Sequence, residues 1–183
     1  MNPQIFREYD IRGIADTDLT DEVVENIGRA YATLVSRDGI RSIAVGHDNR
    51  LSSPRLAEAL IRGLTGAGCD VLFTGQVPTP VLYYSILHYN RQGGIQVTGS
   101  HNPPQFNGFK MSRGVLSLYG DQVQELRRII ESRSFVEGRG SVSKADPIPE
   151  YQKDIIGRLK LQRPLKIVVD TGNGTAGPVI VPI

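Results

Sequence analysis

The sequence contains a single cysteine, Cys69, among 183 residues, so no disulfide can form within the chain. The lack of disulfides fits a reducing compartment. No apolar run approaches the roughly 20 residues that a membrane-spanning helix needs. The N-terminus also lacks the basic segment followed by an apolar stretch that marks a secretory signal. We therefore expect a cytoplasmic protein that does not enter a membrane.

The sequence also lacks a strong charge of either sign. Its formal net charge is +2, and its Lys and Arg residues are scattered rather than clustered. Nucleic-acid-binding domains usually carry a concentrated basic surface, so we expect no nucleic-acid partner. With 39% apolar and 22% charged residues, the composition is that of an ordinary globular protein, and the chain is long enough to bury its own core.

Apolar residues recur along the chain with two alternating patterns. Segments with one apolar stripe at helical spacing predict amphipathic helices, and short continuous apolar runs predict buried strands. The predicted helices cover 20–37, 52–67, 81–88, 121–132 and 149–159, and the predicted strands cover 42–45, 71–73, 95–97, 109–111 and 165–169. This alternation with short connections indicates a layered α/β fold, a sheet flanked by helices.

Polar loops follow three of these strands, after Val45, Phe73 and Val97. In layered α/β domains the ligand-binding loops gather beyond the carboxyl ends of the strands. We therefore expect these three loops to share one face of the domain.

The stretch 134–150 is rich in Gly, Ser and Pro, which is typical of a linker. It divides the chain into an α/β domain at 1–133 and a segment at 151–183, which we interpret as the truncated start of a second α/β domain. Within that segment, residues Gly172 to Gly177 fit the Gly-x-Gly-x-x-Gly fingerprint of dinucleotide-binding proteins. Dinucleotide binding is therefore an alternative, although the acid expected about 20 residues later lies beyond this chain.

The most informative stretch is Thr98-Gly99-Ser100-His101-Asn102-Pro103-Pro104, followed by Asn107-Gly108-Phe109-Lys110. A serine at the end of a strand, next to an imidazole and with a lysine within reach, suits nucleophilic or phosphoryl-transfer chemistry. The same residues fit equally well a polar turn whose Ser and Asn side chains bond to nearby backbone. The pattern is not Gly-x-Ser-x-Gly, so it does not predict a hydrolase nucleophile elbow.

This stretch resembles the phosphoserine loop of the α-D-phosphohexomutases. It is more similar to the loop of the bacterial phosphomannomutase/phosphoglucomutase branch than to that of the phosphoglucosamine mutases. Further segments resemble the same family in the same order along the chain. They are Phe6 to Gly13, Gly46-His47-Asp48-Asn49-Arg50, Val77-Pro78-Thr79-Pro80 and Gly172-Asn173-Gly174. The resemblance implies a mixed sheet flanked by helices, with the start of a second similar domain after it.

The resemblance also implies an activity. Ser100 would carry a phosphoryl group and pass it to a hexose monophosphate, giving a hexose 1,6-bisphosphate intermediate, which also serves as activator. His101 and Lys110 would stabilise charge or handle protons, with His101 alternatively only orienting the loop. Tyr9 and Arg12 would bind substrate at the mouth of the cleft, the alternatives being a core tyrosine and a solvated surface arginine.

A magnesium ion is implied as well, with an oxygen of phosphorylated Ser100 as one ligand. The metal loop of the family is an Asp-x-Asp-x-Asp segment that this chain does not contain. Asp16-Thr17-Asp18 is its only Asp-x-Asp, and it precedes a predicted helix, where acids favour the positive end of the helix dipole. We expect capping there rather than a metal site, and no turnover by these 183 residues alone. A non-catalytic phosphosugar-binding module is the remaining alternative.

Overall fold

The computed structural model describes all residues from Met1 to Ile183. Its strands are β1 (Ile11–Ile14), β2 (Ser42–His47), β3 (Asp70–Gln76), β4 (Gly93–Val97), β5 (Phe106–Arg113), β6 (Leu116–Ser117) and β7 (Val142–Lys144). Its helices are α1 (Asp21–Ser36), α2 (Ser53–Gly66), α3 (Thr79–His88), α4 (Asp121–Ser132), α5 (Ile148–Arg158) and α6 (Gly177–Ile180), and a 3-10 turn covers Pro3–Ile5. No helix combines the length and the apolar character that crossing a bilayer requires.

The strands form one mixed sheet in the order β1-β5-β4-β2-β3-β7, with β6 paired to the end of β5. Strands β2, β3, β4 and β7 are parallel, whereas β5 runs antiparallel to both of its long neighbours. The predicted strands at 42–45, 71–73, 95–97 and 109–111 are confirmed as parts of β2 to β5. The α/β fold class with a sheet flanked by helices is therefore confirmed.

One face of the sheet is covered by α1, α2 and α4, which bury their apolar stripes in the larger core. Helix α1 begins where the sequence predicts, because the Oγ1 atom of Thr20 accepts a hydrogen bond from the N–H of Val23 at 3.4 Å. Helices α1 and α2 approach so closely that a Cβ atom on Gly28 would meet the carbonyl oxygen of Leu60. This close contact fixes α2, and with it the loop that precedes it.

The opposite face carries α3, whose residues Val81, Leu82 and Ile86 form a smaller apolar cluster with Ala44 of β2. Val179 of α6 belongs to the same cluster, and Ile148 and Tyr151 of α5 pack against it.

The predicted strand at 165–169 is wrong. No strand forms there, and Ile167 and Val168 are 69% and 99% exposed. A strand is stable only beside a neighbour that takes up its backbone hydrogen bonds, and no strand of this chain lies next to this segment.

The stretch 134–150, predicted as a linker, contains β7 and the first turn of α5. Strand β7 pairs with β3 from Val71↔Val142 to Phe73↔Lys144. The carboxylate of Asp70 accepts hydrogen bonds from the hydroxyl of Ser141 at 2.6 Å and from its N–H at 2.8 Å, and these bonds hold the pKa of Asp70 below its ordinary range. Part of this stretch is therefore attached to the sheet.

Candidate active site

The three loops that follow β2, β3 and β4 meet at one edge of the sheet, as predicted. Because these strands are parallel, their carboxyl ends lie side by side. Direct bonds join the loops: the Asp48 N–H donates to the Val97 carbonyl at 2.9 Å, and the Val77 N–H donates to the His47 carbonyl at 2.9 Å.

Ser100 lies exposed in the turn that follows β4. Its φ is +53°, a left-handed conformation that costs an L-residue about 1–2 kcal/mol. The turn is closed by a bond from the Ser100 N–H to the Thr98 Oγ1 atom at 2.9 Å and by one from the Asn102 N–H to the Gly99 carbonyl at 3.0 Å. Neither bond uses the Ser100 hydroxyl, so that group is not needed to form the turn.

Two side chains of the loop after β2, Asp48 and Arg50, bind the backbone of this turn. An oxygen of Asp48 accepts a hydrogen bond from the Gly99 N–H at 3.1 Å. The guanidinium group of Arg50 lies against Gly99 and donates to several carbonyl oxygens of the Ser100 loop. The lack of a side chain at residue 99 gives room to this guanidinium group.

Arg12 in β1 is buried beneath the same loop, at 6% exposure. Its Nε and Nη2 atoms donate to one oxygen of Asp10 at 2.9 and 2.7 Å. Its Nη1 atom donates to the Thr98 carbonyl at 3.4 Å. Arg12 is therefore not a solvated surface charge.

Lys110 in β5 lies on the same face of the sheet as Arg12. Arg12 pairs with Gly108 across the two strands, and residues two apart on a strand share a face. The Nζ atom of Lys110 is 3.5 Å from the same Asp10 oxygen. Asp10 thus brings together the two basic side chains that the sequence singled out separately.

The charges of the five charged side chains at and below the Ser100 loop do not cancel. Arg50 pairs with Asp48, and Arg12 and Lys110 share Asp10. Three cations thus face two carboxylates, which leaves one positive charge in excess. The Lys110 side chain is 34% exposed, so this excess charge is available to an anion.

Tyr9 and His101 are both on the surface. Tyr9 is 70% exposed, so it is not a core residue, and it directly precedes Asp10. His101 is exposed next to Ser100 in the same turn. Both positions are compatible with the roles that the sequence suggested, which remain predictions.

A cleft of about 740 Å³ opens beside the turn, with Ser100, Asp48 and Arg50 among its lining residues. Its far side is formed by residues Gly172 to Thr175, and the Asn49 side chain donates to the Asn173 carbonyl across it at 2.8 Å. A cavity of about 820 Å³ between α1 and the end of α4 contains none of the predicted site residues. Of the predicted site residues, Ser100 alone lines this cleft; Tyr9, Arg12, His101 and Lys110 do not. We take the Ser100 turn, with this cleft beside it, as the candidate site.

The glycines of 172–177 do not form a dinucleotide-binding unit. That unit needs a strand before the glycines and a helix after them, but no strand precedes Gly172 and α6 has only four residues. The structure offers no support for dinucleotide binding.

No group of three or more His, Cys, Asp or Glu side chains is arranged to hold a metal ion. The prediction that Asp16-Thr17-Asp18 caps α1 is wrong, because Asp18 accepts bonds from the Ile14 N–H and the Asn2 amide, and Asp16 pairs with Arg55.

Sequence reasoning missed Asp10, Asp48 and Arg50 as site residues. All three lie inside segments that were singled out, but spacing along the chain does not reveal that residue 50 contacts residues 100 to 106. A signal was present in the charge pattern, since an acid and an arginine two residues apart occur at both Asp10–Arg12 and Asp48–Arg50.

Comparisons with known proteins agree with this architecture. Residues 3–137 match the family described as phosphoglucomutase/phosphomannomutase, alpha/beta/alpha domain I. A phosphoglucomutase of Neisseria meningitidis is 46% identical over 175 residues, which cover 94% of this chain and 38% of that protein. A phosphomannomutase/phosphoglucomutase of Pseudomonas aeruginosa is 46% identical over 173 residues, covering 94% of this chain and 37% of that protein.

A crystal structure of a phosphoglucomutase/phosphomannomutase family protein from Burkholderia thailandensis superposes with a TM-score of 0.93 at 44% identity. The match covers 98% of this chain and 41% of that one. The chain thus spans well under half the length of the relatives it matches. On the strength of the matched domain and of these relatives, the chain belongs to the phosphoglucomutase/phosphomannomutase family.

Proposed function

We propose that this chain carries the phosphoserine of an enzyme that interconverts hexose 1-phosphate and hexose 6-phosphate. The observation that carries the proposal is the position of Ser100. It is exposed at the edge of a cleft, in a turn that other residues hold, and close to a group of side chains with excess positive charge. Relatives named phosphoglucomutase and phosphomannomutase support the same reaction.

In the first step, phosphorylated Ser100 gives its phosphoryl group to the free hydroxyl of the hexose phosphate. The sugar oxygen forms a bond to phosphorus while the bond between phosphorus and the Ser100 Oγ atom breaks. The sugar hydroxyl loses its proton, and the serine oxygen gains one. The product is a hexose 1,6-bisphosphate.

In the second step, the bisphosphate turns round, and the Ser100 Oγ atom forms a bond to the phosphorus of the other phosphate while the bond between that phosphorus and the sugar oxygen breaks. The serine hydroxyl loses its proton and the sugar oxygen gains one, so that phosphoserine is restored and the isomeric monophosphate leaves. We propose that His101 and Lys110 move the proton or stabilise the negative charge in both steps. We propose that Arg12 and Tyr9 contact the substrate at the cleft mouth. A phosphoserine adds about −1.5 to −2 charges at neutral pH, which fits the excess positive charge below it.

A magnesium ion would neutralise charge on the transferring phosphoryl group when bound. Of the residues described, only Ser100, once phosphorylated, would hold it. We therefore propose that the remaining ligands come from outside this chain, and that the 183-residue chain alone shows no mutase turnover with magnesium and glucose 1,6-bisphosphate. A cytoplasmic location remains a prediction from the sequence.

The test compares the full-length gene product with Ser100→Ala and with Ser117→Ala, a control at an exposed position of β6. Glucose 1-phosphate and mannose 1-phosphate are supplied with magnesium and glucose 1,6-bisphosphate, and the 6-phosphates are measured. We expect conversion by the parent and by Ser117→Ala, and only background conversion by Ser100→Ala. A folded parent that binds the sugar phosphates without converting them would instead be a phosphosugar-binding module.

A further inference from the structure

The Arg50 side chain is unusual in how completely its hydrogen-bond donors are used by the backbone of one loop. Its Nη1 atom donates to the carbonyls of Pro103 at 2.7 Å and Phe106 at 2.9 Å. Its Nη2 atom donates to the carbonyls of Asn102 at 2.6 Å and Ser100 at 3.3 Å. The Nε atom is 3.3 Å from an oxygen of Asp48. Of the five N–H donors of a guanidinium group, the four on Nη1 and Nη2 are thus directed at carbonyls of this loop, and Nε faces Asp48.

Asp48 completes the contact from the same loop. One of its oxygens faces Arg50 Nε and accepts from the Gly99 N–H at 3.1 Å. The other accepts from the Arg50 N–H at 3.0 Å and from the Ser53 hydroxyl at the start of α2. Asp48 and Arg50 are 13% and 15% exposed. The pair therefore anchors the Ser100 loop to the rigid junction between β2 and α2.

The backbone of the Ser100 loop holds only part of this shape. The Asn102 N–H donates to the Gly99 carbonyl and the Phe106 N–H to the Pro103 carbonyl, each at 3.0 Å, but Pro103 and Pro104 have no N–H to donate, and Ser100 is in a left-handed conformation that L-residues disfavour. Without Arg50, the carbonyls of residues 100 and 102 would turn toward water, and the turn would be free to relax.

We propose that Arg50, with Asp48, is the positioning residue that fixes Ser100 for phosphoryl transfer, acting through the backbone and not through contact with the phosphate. The proposal rests on the proposed function and adds to it a residue with a distinct role. Asp48 balances the charge of Arg50, and the Nη1 and Nη2 donors of Arg50 are directed at loop carbonyls. Arg12 and Lys110 differ from Arg50 because the two of them share one carboxylate, that of Asp10.

A positioning role predicts a particular kinetic effect. Phosphoryl transfer depends on alignment of the phosphorus with the attacking oxygen, and a misplacement of about 1 Å can slow a reaction about 100-fold. Substrate binding does not use Arg50. Its loss should therefore lower kcat about 100-fold and leave KM within about threefold of the parent value.

The test uses the full-length gene product and its Arg50→Ala, Arg50→Lys and Asp48→Asn variants. Arg50→Lys keeps the charge, but a single ammonium nitrogen cannot reach four carbonyls, so we expect most of the kcat loss to persist. Added guanidinium chloride, at a concentration that leaves the parent folded, should restore part of the kcat of Arg50→Ala, and ammonium chloride should not. Asp48→Asn should also lower kcat.

The matched control is Arg91→Ala. Arg91 also donates to a backbone carbonyl, that of Tyr89 at 2.8 Å, but it lies before the other end of β4. We expect its thermal midpoint to fall while its kcat stays at the parent value. The positioning role is overturned if the Arg50 variants, like Arg91→Ala, lose thermal midpoint but keep the parental kcat, or if the loss of activity appears in KM and not in kcat.

Rescue by guanidinium distinguishes a mispositioned Ser100 from a misfolded chain, since guanidinium cannot restore turnover to a misfolded chain. A folded Arg50→Lys variant with parental kcat would also overturn the proposal. Failure of the underlying function has a different signature. A parent that moves no phosphoryl group to or from Ser100 removes the proposed function itself, whereas an active parent with equally active Arg50 variants removes only the role of Arg50.

Discussion

Gly99 lies so close to the guanidinium group of Arg50 that a methyl group on residue 99 would occupy the same space. We therefore expect Gly99→Ala to displace Arg50 from the Ser100 loop and to lower the free energy of unfolding by about 1–3 kcal/mol, because the loop carbonyls lose the donors of Arg50. Urea unfolding of the full-length gene product measures this. Gly157→Ala is the control, because a Cβ atom at that position in α5 meets nothing within 4 Å, and unchanged stability of Gly99→Ala would contradict the close contact.

Asp10 is the shared partner of Arg12 and Lys110, and replacing it should weaken the protein. Asp10→Asn keeps the shape but removes the charge opposite a buried guanidinium, so we expect a loss of about 1.5–3 kcal/mol in the free energy of unfolding. Asp38→Asn breaks the more exposed pair with Arg113 and should cost at most about 1 kcal/mol. Equal losses in the two variants would show that the Arg12 pair is not a buried one.

Cys69 gives the protein a dependence on alkaline pH. Burial raises the pKa of its thiol from 9.0 to about 11, so the folded state favours the protonated form. This stabilisation is complete below pH 9 and is lost as the pH rises toward 11, a change on the order of 2 kcal/mol. Tyrosines and lysines titrate in the same range, so the difference between the parent and Cys69→Ala is the quantity to measure.

In Cys69→Ala the fall in unfolding free energy across this window should be smaller than in the parent. Parallel curves for the two proteins would mean that the thiol ionises as readily in the folded state as in the unfolded one.

The sequence predicted those elements that depend on local pattern. Helix α4 was predicted with the bounds that it has, and the strands β2 to β4 were found because their buried runs are short and continuous. The meeting of the three loops at one edge followed from parallel strands alone. Ser100 was singled out from the residues around it together with the family resemblance, and its role stays a prediction.

The elements that depend on distant partners were not predictable in the same way. The apolar run at 165–169 looks like a strand, yet it has no neighbour to pair with in this chain. Conversely, β7 is exposed and polar in a stretch rich in glycine and serine, and it becomes a strand only because β3 and Asp70 bind it. Arg50 is a case of the same kind, since its role is visible only once the loops are brought together.

Transfer of a labelled phosphoryl group to Ser100 decides whether this residue is the phosphoserine. The full-length gene product and its Ser100→Ala variant are incubated with magnesium and labelled glucose 1,6-bisphosphate, and the label is located by peptide mass. We predict label on the peptide that contains Ser100 in the parent and none in the variant. A folded parent that takes up no label, or takes it up equally in the variant, would contradict the phosphoserine mechanism.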